Sequence, residues 1–405
     1  MRKLIFPFTL IICLQTVTAI AQVDDISYSN RIIFPNDIKV GADRTEFYLL
    51  SLENKKVAIM TNLTGTIGRT HLVDSLLSLD INITKVFSPE HGFRGESEAG
   101  AEVNSNIDLK TGISIISLYG SHKKPTAEDF SDVDIVVFDI QDVGARFYTY
   151  ISSLHYLMEA CAENQKDLIV LDRPNPNGFY VDGPMLDSNY KSFVGMDSIP
   201  VVHGLTVGEF ALMLNGENWL KNGEKCKLTV ISVKNYSHKM LYQLPIAPSP
   251  NLPNMASIYL YPSLCLFEGT PISIGRGTEK AFQIYGHPDL KNFDTSFIPV
   301  SIAGKSANPK HENKICKGFD VTNFGLNVLP NYSKLYLFWL IDSYDQLGKP
   351  NDFFTGFFNK LAGTDKLKQQ IIDGRTEDEI RALWQDQLTK YKQLRKKYLL
   401  YPDFE

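Results

Sequence analysis

Six short runs of apolar and β-branched residues, separated by helical patterns, restrict this chain to an α/β fold. They occupy 56–62, 81–87, 113–119, 134–139, 167–172 and 227–233. Strands covered on both faces read as nearly continuous apolar segments, whereas a strand with one wet face alternates. Helical patterns lie over 70–79, 145–163 and 206–214, the first with Leu72, Leu76 and Leu79 on one face. A mostly parallel sheet with helices on both faces is the packing that this order predicts.

The character changes near Leu244, where Pro245, Pro248, Pro250 and Pro253 punctuate the chain. Beyond that point the sequence is aromatic-rich and less regular, with a helix expected over 333–347 and another over 377–398. The last helix carries Trp384, Leu388, Tyr391 and Leu394 at helical spacing, a stripe that suits a docked core face. The expected organisation is a leader over 1–21, an α/β domain over 22–245 and a smaller α+β domain over 246–405.

The leader reads as an export signal. Arg2 and Lys3 precede an apolar run over 4–17, and Ala19-Ile20-Ala21 has the small-x-small form of a cleavage site. A periplasmic or extracellular location is the consequence. The apolar run is too short for a membrane span, and no later stretch reaches the ~18 apolar residues one needs. Without Arg2 and Lys3 the chain carries 39 basic and 46 acidic residues. That acidic balance argues against a nucleic-acid partner, which calls for a basic face. Cys161, Cys226, Cys265 and Cys316 show neither CxxC nor zinc spacing. Pairing and buried thiols both stay open for them.

The chemistry-bearing residues collect where the strand-like runs end. Glu90, His91 and Arg94 sit in Ser88-Pro89-Glu90-His91-Gly92-Phe93-Arg94-Gly95. Asp139, Gln141 and Asp142 end the fourth run, with Arg146, Tyr148 and Tyr150 close behind. Asp172, Arg173 and Asn175 come at the end of the fifth. In a parallel sheet these ends share one edge, so groups distant in sequence converge there. His203, Asn251, Glu268 and Arg276 lie in later glycine- or proline-bearing stretches, and an arginine among glycines suits bidentate contact with a carboxylate. Each residue also has a purely structural reading. Glu90 could cap the turn through Gly92, and His91 could be a packed imidazole. Asp139 and Asp172 could cap the loops or helices that come after them, with Arg146 and Arg173 as their scaffold partners. Tyr148 and Tyr150 could be core.

Several chemistries lack their signatures. No GxGxxG comes after the first run, and there is no GxxxxGK[ST] phosphate loop, GxSxG elbow or HExxH pair. A metal held by Glu90, His91 and Asp139 is conceivable, but no cofactor or metal is required.

Taken together, these stretches resemble the DUF1343 family, whose characterised members are exo-β-N-acetylmuramidases of the NamZ type. The matching pieces are 88–95, Phe-Asp-Ile-Gln-Asp-Val-Gly-Ala-Arg-Phe-Tyr-Thr-Tyr (138–150), Leu-Asp-Arg-Pro-Asn-Pro-Asn-Gly (171–178), His-Gly-Leu-Thr-Val-Gly-Glu (203–209), Pro-Ser-Pro-Asn-Leu-Pro (248–253) and Glu-Gly-Thr…Gly-Arg-Gly-Thr (268–278). The resemblance implies a Rossmann-like N-terminal domain, a smaller C-terminal domain and an active site in the cleft between them. It also implies release of N-acetylmuramic acid from the non-reducing end of peptidoglycan fragments.

With that resemblance, Glu90 is the expected general acid, with His91 nearby. Asp139 or Asp142 is a base or nucleophile, or else orients the substrate's own acetamido group. Arg94, Gln141, Arg146, Tyr148, Tyr150, Asp172, Arg173, Asn175, His203, Asn251, Glu268 and Arg276 are the expected saccharide contacts. One of Arg146, Arg173 and Arg276 is expected to hold the lactyl carboxylate that distinguishes N-acetylmuramic acid from N-acetylglucosamine. The competing classes are an exported carbohydrate-binding protein without catalysis and an ester hydrolase working through His91.

Overall fold

The computed structural model describes residues 32–33, 37–90, 92–94 and 106–405. The expected leader over 1–21 and His91 lie outside the described residues.

The central sheet has seven strands: β1 Val57–Thr61, β2 Ile83–Ser88, β3 Asn106–Ile107, β4 Ser114–Ser117, β5 Ile135–Asp139, β6 Asp167–Leu171 and β7 Lys227–Ile231. Their order is β7-β6-β5-β1-β2-β4-β3. All neighbours are parallel except the short edge strand β3, which runs antiparallel to β4. Every residue of β1 and β5 is buried, which is why both read as unbroken apolar runs. Ala58, Met60, Val136 and Phe138 pack into one core with Leu154, Leu157 and Phe210 of the helices on that side. Val57, Ile59 and Val137 face the other way, against Leu72, Val73 and Leu76.

Three helices take the expected places with altered bounds: α1 Leu72–Leu77, α2 Tyr150–Glu163 and α3 Val207–Gly216. Residues 145–149, expected as helix, are loop. Gly144 takes φ +79°, and the Arg146 amide donates to the Val201 carbonyl, so this segment pairs with the 200–202 strand instead of coiling. α1 is short because Thr70–His71 pairs with Thr66–Ile67.

The smaller domain holds α4 Met255–Leu264, a three-stranded antiparallel sheet (β8 Ile284–His287, β9 Thr295–Phe297, β10 Cys316–Asp320) and the helices α5 Phe338–Gln346, α6 Gly356–Ala362, α7 Lys366–Ile372, α8 Glu377–Ala382 and α9 Gln385–Arg395. The single helix expected over 377–398 is thus broken around Leu383 and Trp384. Trp384, Leu388 and Tyr391 are buried in the main core. The Tyr391 hydroxyl donates to the His203 carbonyl at 2.8 Å, and Arg395 Nε donates to the Gly204 carbonyl at 2.9 Å. The chain end therefore returns to brace the α/β domain. Cys161, Cys226, Cys265 and Cys316 are free and buried.

Candidate active site

The strand order reverses direction around β1. The chain builds outward through β2 and β4, then starts again at β5 on the other side. Ligands of open α/β sheets bind outside the carboxyl ends of strands at such a switch point. Asn62 comes directly after β1, Glu90 just past β2 and Asp142 three residues past β5.

Glu90 is half-buried at the wall of a narrow cleft that it shares with Tyr148, Tyr150, Asn251, Tyr261 and Arg276. Its carboxylate accepts from the Tyr119 hydroxyl at 3.2 Å and from Thr149 Oγ1 at 3.3 Å. Burial, and then the Glu90 charge, push the Tyr119 phenol above its ordinary range, so it remains a donor near neutral pH. Tyr148 and Tyr150 meet edge to face at 4.9 Å. Burial raises both phenols, and the charges of Asp142 and Glu90 add to it in each. The tyrosine pair thus feels the charge of both carboxylates. The Tyr148 hydroxyl donates to the Pro248 carbonyl at 3.0 Å, and its ring packs on Tyr261.

Asp142 is buried. One oxygen accepts from the Gly144 amide at 2.6 Å and stands 3.7 Å from His203 Nε2; the other has no hydrogen-bond partner among the described residues. Gly144 is needed here, since a Cβ would sit 2.2 Å from the Asn175 side chain and its φ favours glycine. Asn251 donates from Nδ2 to the Lys305 carbonyl at 2.9 Å, while its Oδ1 is buried without a partner among the described residues. Glu268 pairs with Arg276 Nε at 2.6 Å. Arg276 is common to the walls of the Glu90 cleft and of a neighbouring cavity of about 290 Å³ that Glu268 also lines.

Other candidates lie at the strand ends but are engaged within the protein. Asp139 and Arg173 hold each other. Arg146 spends its guanidinium on four main-chain carbonyls. Asp172 accepts from the Gly208 amide and Thr206 Oγ1, each at 2.8 Å, and from the Tyr401 hydroxyl, which anchors the start of α3. Asn175 bridges to the Leu205 carbonyl and the Asn177 amide. Gln141 donates to the Asp142 and Pro174 carbonyls. Arg94 forks onto Asp108 at 2.9 and 2.7 Å, and that guanidinium pulls the Asp108 carboxyl down to about 2. A larger cavity of about 740 Å³ lies between Pro184–Asp187 and the C-terminal helices, and it contains none of the candidates. Among the described residues no group of three or more His, Cys, Asp or Glu side chains is placed to hold a metal.

Two family models cover the chain: Exo-beta-N-acetylmuramidase NamZ, N-terminal, over 57–256, and Exo-beta-N-acetylmuramidase NamZ, C-terminal, over 259–401. The chain belongs to the NamZ family. It is 38% identical over 435 aligned residues to the peptidoglycan beta-N-acetylmuramidase NamZ of Bacillus subtilis (strain 168), covering 99% of this chain and 100% of that one. Two DUF1343 family crystal structures from Bacteroides fragilis NCTC 9343 share the fold. One is 49% identical, with a TM-score of 0.85 over 91% of this chain and 99% of its own. The other is 30% identical, with a TM-score of 0.77 over 90% and 99%. The two NamZ segments meet at the start of α4. The cleft wall draws Glu90, Tyr148 and Tyr150 from the first segment and Tyr261 and Arg276 from the second.

Asn62, Tyr119, Thr149 and Tyr261 belong to this setting but are not among the sequence candidates. Asn62 and Tyr119 each directly succeed or end a predicted strand, so the strand-end rule that found Glu90 also applies to them. Thr149 sits inside the 138–150 motif, between two tyrosines with a stronger chemical signature.

Proposed function

We propose that this chain is an exo-β-N-acetylmuramidase that releases N-acetylmuramic acid from the non-reducing end of peptidoglycan fragments. In this reading it is exported through the 1–21 leader and works in the periplasm or outside the cell, in wall turnover or recycling. Membership of the NamZ family supports the activity. The observation that carries the mechanism is Glu90, a carboxyl at the cleft wall held by two hydroxyl donors and flanked by residues of both NamZ segments.

Glu90 acts as the general acid, giving its proton to the glycosidic oxygen as the bond to the anomeric carbon breaks. Tyr119 and Thr149 hold the carboxyl in one orientation, which makes proton transfer effectively intramolecular. Asp142, rather than the Arg173-bound Asp139, is the second carboxylate. It is buried, with one oxygen uncommitted among the described residues. Asn251 Oδ1 offers an acceptor to a sugar hydroxyl or acetamido N–H.

The test is Glu90→Gln assayed on the disaccharide N-acetylmuramyl-N-acetylglucosamine and on a nitrophenyl β-N-acetylmuramide. Loss of the acid should cost roughly 10²–10⁴-fold on the disaccharide. The nitrophenolate leaves with little protonation, so its loss should be much smaller. Near-normal turnover of both substrates would remove Glu90 from this role.

A further inference from the structure

N-acetylmuramic acid differs from N-acetylglucosamine by one lactyl ether, which ends in a carboxylate. A muramidase that distinguishes the two needs a cation or donor set aimed at that group. Three arginines qualify by sequence, and the structure separates them. The Arg173 fork closes on Asp139. Arg146 is fully buried, and its Nη1 and Nη2 donate to the carbonyls of Pro184, Ile199, Leu361 and Ala362. Arg146 Nε has no partner among the described residues, but the group is fully buried, and neither Arg146 nor Arg173 lines the Glu90 cleft.

Arg276 is built differently. Its Nε donates to Glu268 at 2.6 Å, and its guanidinium carbon lies 5.0 Å from the centre of the Phe282 ring. These contacts fix the plane of the group at one edge and one face. Its two Nη groups have no protein partner among the described residues. Gly275 and Gly277 flank it at φ +76° and +79°, so its backbone conformation is one that glycine neighbours permit. Among the described residues that line the Glu90 cleft, Arg276 is the only cation. Lys310, in the neighbouring cavity, spends its ammonium on the carbonyls of Phe267, Glu268, Thr270 and Ile272.

We propose that Arg276 is the specificity residue for the lactyl carboxylate, which it takes on its open Nη edge while Glu268 holds the Nε edge. This rests on the muramidase reading above. A guanidinium oriented in advance gives up little freedom on binding, and its planar fork matches a carboxylate. Glu268 acts as the positioning residue.

The experiment compares nitrophenyl β-N-acetylmuramide with nitrophenyl β-N-acetylglucosaminide, which differ only in the lactyl ether. Arg276→Met should lower kcat/KM on the muramide roughly 10- to 100-fold and lower it far less on the glucosaminide, which collapses the preference. Glu268→Gln should raise KM for the muramide alone. Arg276→Lys keeps the charge without the fork and should recover only part of the preference. A muramide-to-glucosaminide ratio that survives Arg276→Met, or an equal fall on both substrates, overturns the assignment. Calorimetry with free N-acetylmuramic acid and N-acetylglucosamine separates this from failure of the muramidase reading. If the wild type cleaves neither glycoside, Arg276 must still be required for tighter binding of N-acetylmuramic acid. Equal binding of the two sugars by wild type and Arg276→Met would end the proposal.

Discussion

Arg173 meets Asp139 edge to edge, with Nε 2.6 Å from one carboxylate oxygen and Nη2 2.8 Å from the other. The carboxylate is wholly buried and the guanidinium nearly so. The pair joins the ends of β5 and β6, and Arg173 also donates to the Thr66 carbonyl at 3.1 Å. Removing one member of such a pair strands a buried charge, which typically costs about 3–5 kcal/mol. Asp139→Asn and Arg173→Met should each lower unfolding free energy by that order in urea titrations. The double variant should lose less than the two single losses combined. An Asp139→Asn protein within about 0.5 kcal/mol of wild type, the range of an ordinary surface change, would show that the pair is not a strut.

This pair also marks how far the sequence could be read. All six apolar runs became strands within two residues of the expected bounds, because burial on both faces leaves an unmistakable pattern. Convergence on one sheet edge came from parallel pairing, and it put Glu90 and Asp142 just past the two strands that flank β1. What each polar side chain does at that edge depends on partners elsewhere in the chain. Arg146 and Arg276 look alike in sequence, both beside glycines or aromatics. Only the fold brings the carbonyls of residues 184, 199, 361 and 362 around the first and leaves the second facing the cleft. The loop over 145–149 was hidden for the same reason, since its pairing partner lies some fifty residues away.

Arg146 should therefore behave as a structural residue. Its four acceptors come from the 184–199 hairpin and the end of α6. Gly363, just past α6, has φ +74°, and a Cβ there would lie 2.5 Å from Arg146 Nη2. Arg146→Lys cannot reach all four carbonyls, and each buried acceptor left unpaired costs about 1–3 kcal/mol. Both Arg146→Lys and Gly363→Ala should lower the melting temperature by several degrees. The folded fraction should keep its preference for muramide over glucosaminide. Loss of that preference in Arg146→Lys would move the lactyl contact from Arg276 to Arg146.

The four thiols beyond residue 21 give a simple count. Cys161, Cys226, Cys265 and Cys316 are all free and buried. Burial raises the Cys161 and Cys265 thiols well above their ordinary range, which suppresses the reactive thiolate. In protein lacking residues 1–21, and so Cys13, a chromogenic disulfide reagent should titrate none of them in the native state and four after unfolding in guanidinium. Cys161 and Cys226 are close enough to interact. A count of two after unfolding, restored to four by reductant, would mean that the chain carries a disulfide.

His155 supplies a pH signature. Its Nδ1 lies 2.9 Å from Asp197 and its Nε2 3.2 Å from Glu159, with the ring almost fully buried. Burial alone would push the imidazole down, but the two carboxylates outweigh it and hold it at about 9, while Glu159 is held at about 2. A folded value above the unfolded ~6.5 means that the cation stabilises the fold. That contribution is fully present below pH ~6.5 and disappears as pH rises through about 9. Unfolding free energy should fall by about 2 kcal/mol between pH 7.5 and pH 10 from this group alone. Tyrosine and lysine titrations overlap that window, so the measurement is a difference. His155→Gln should be less stable at neutral pH, and its gap to wild type should close toward pH 10. A gap that stays constant across the window would show that His155 is not charged in the folded protein.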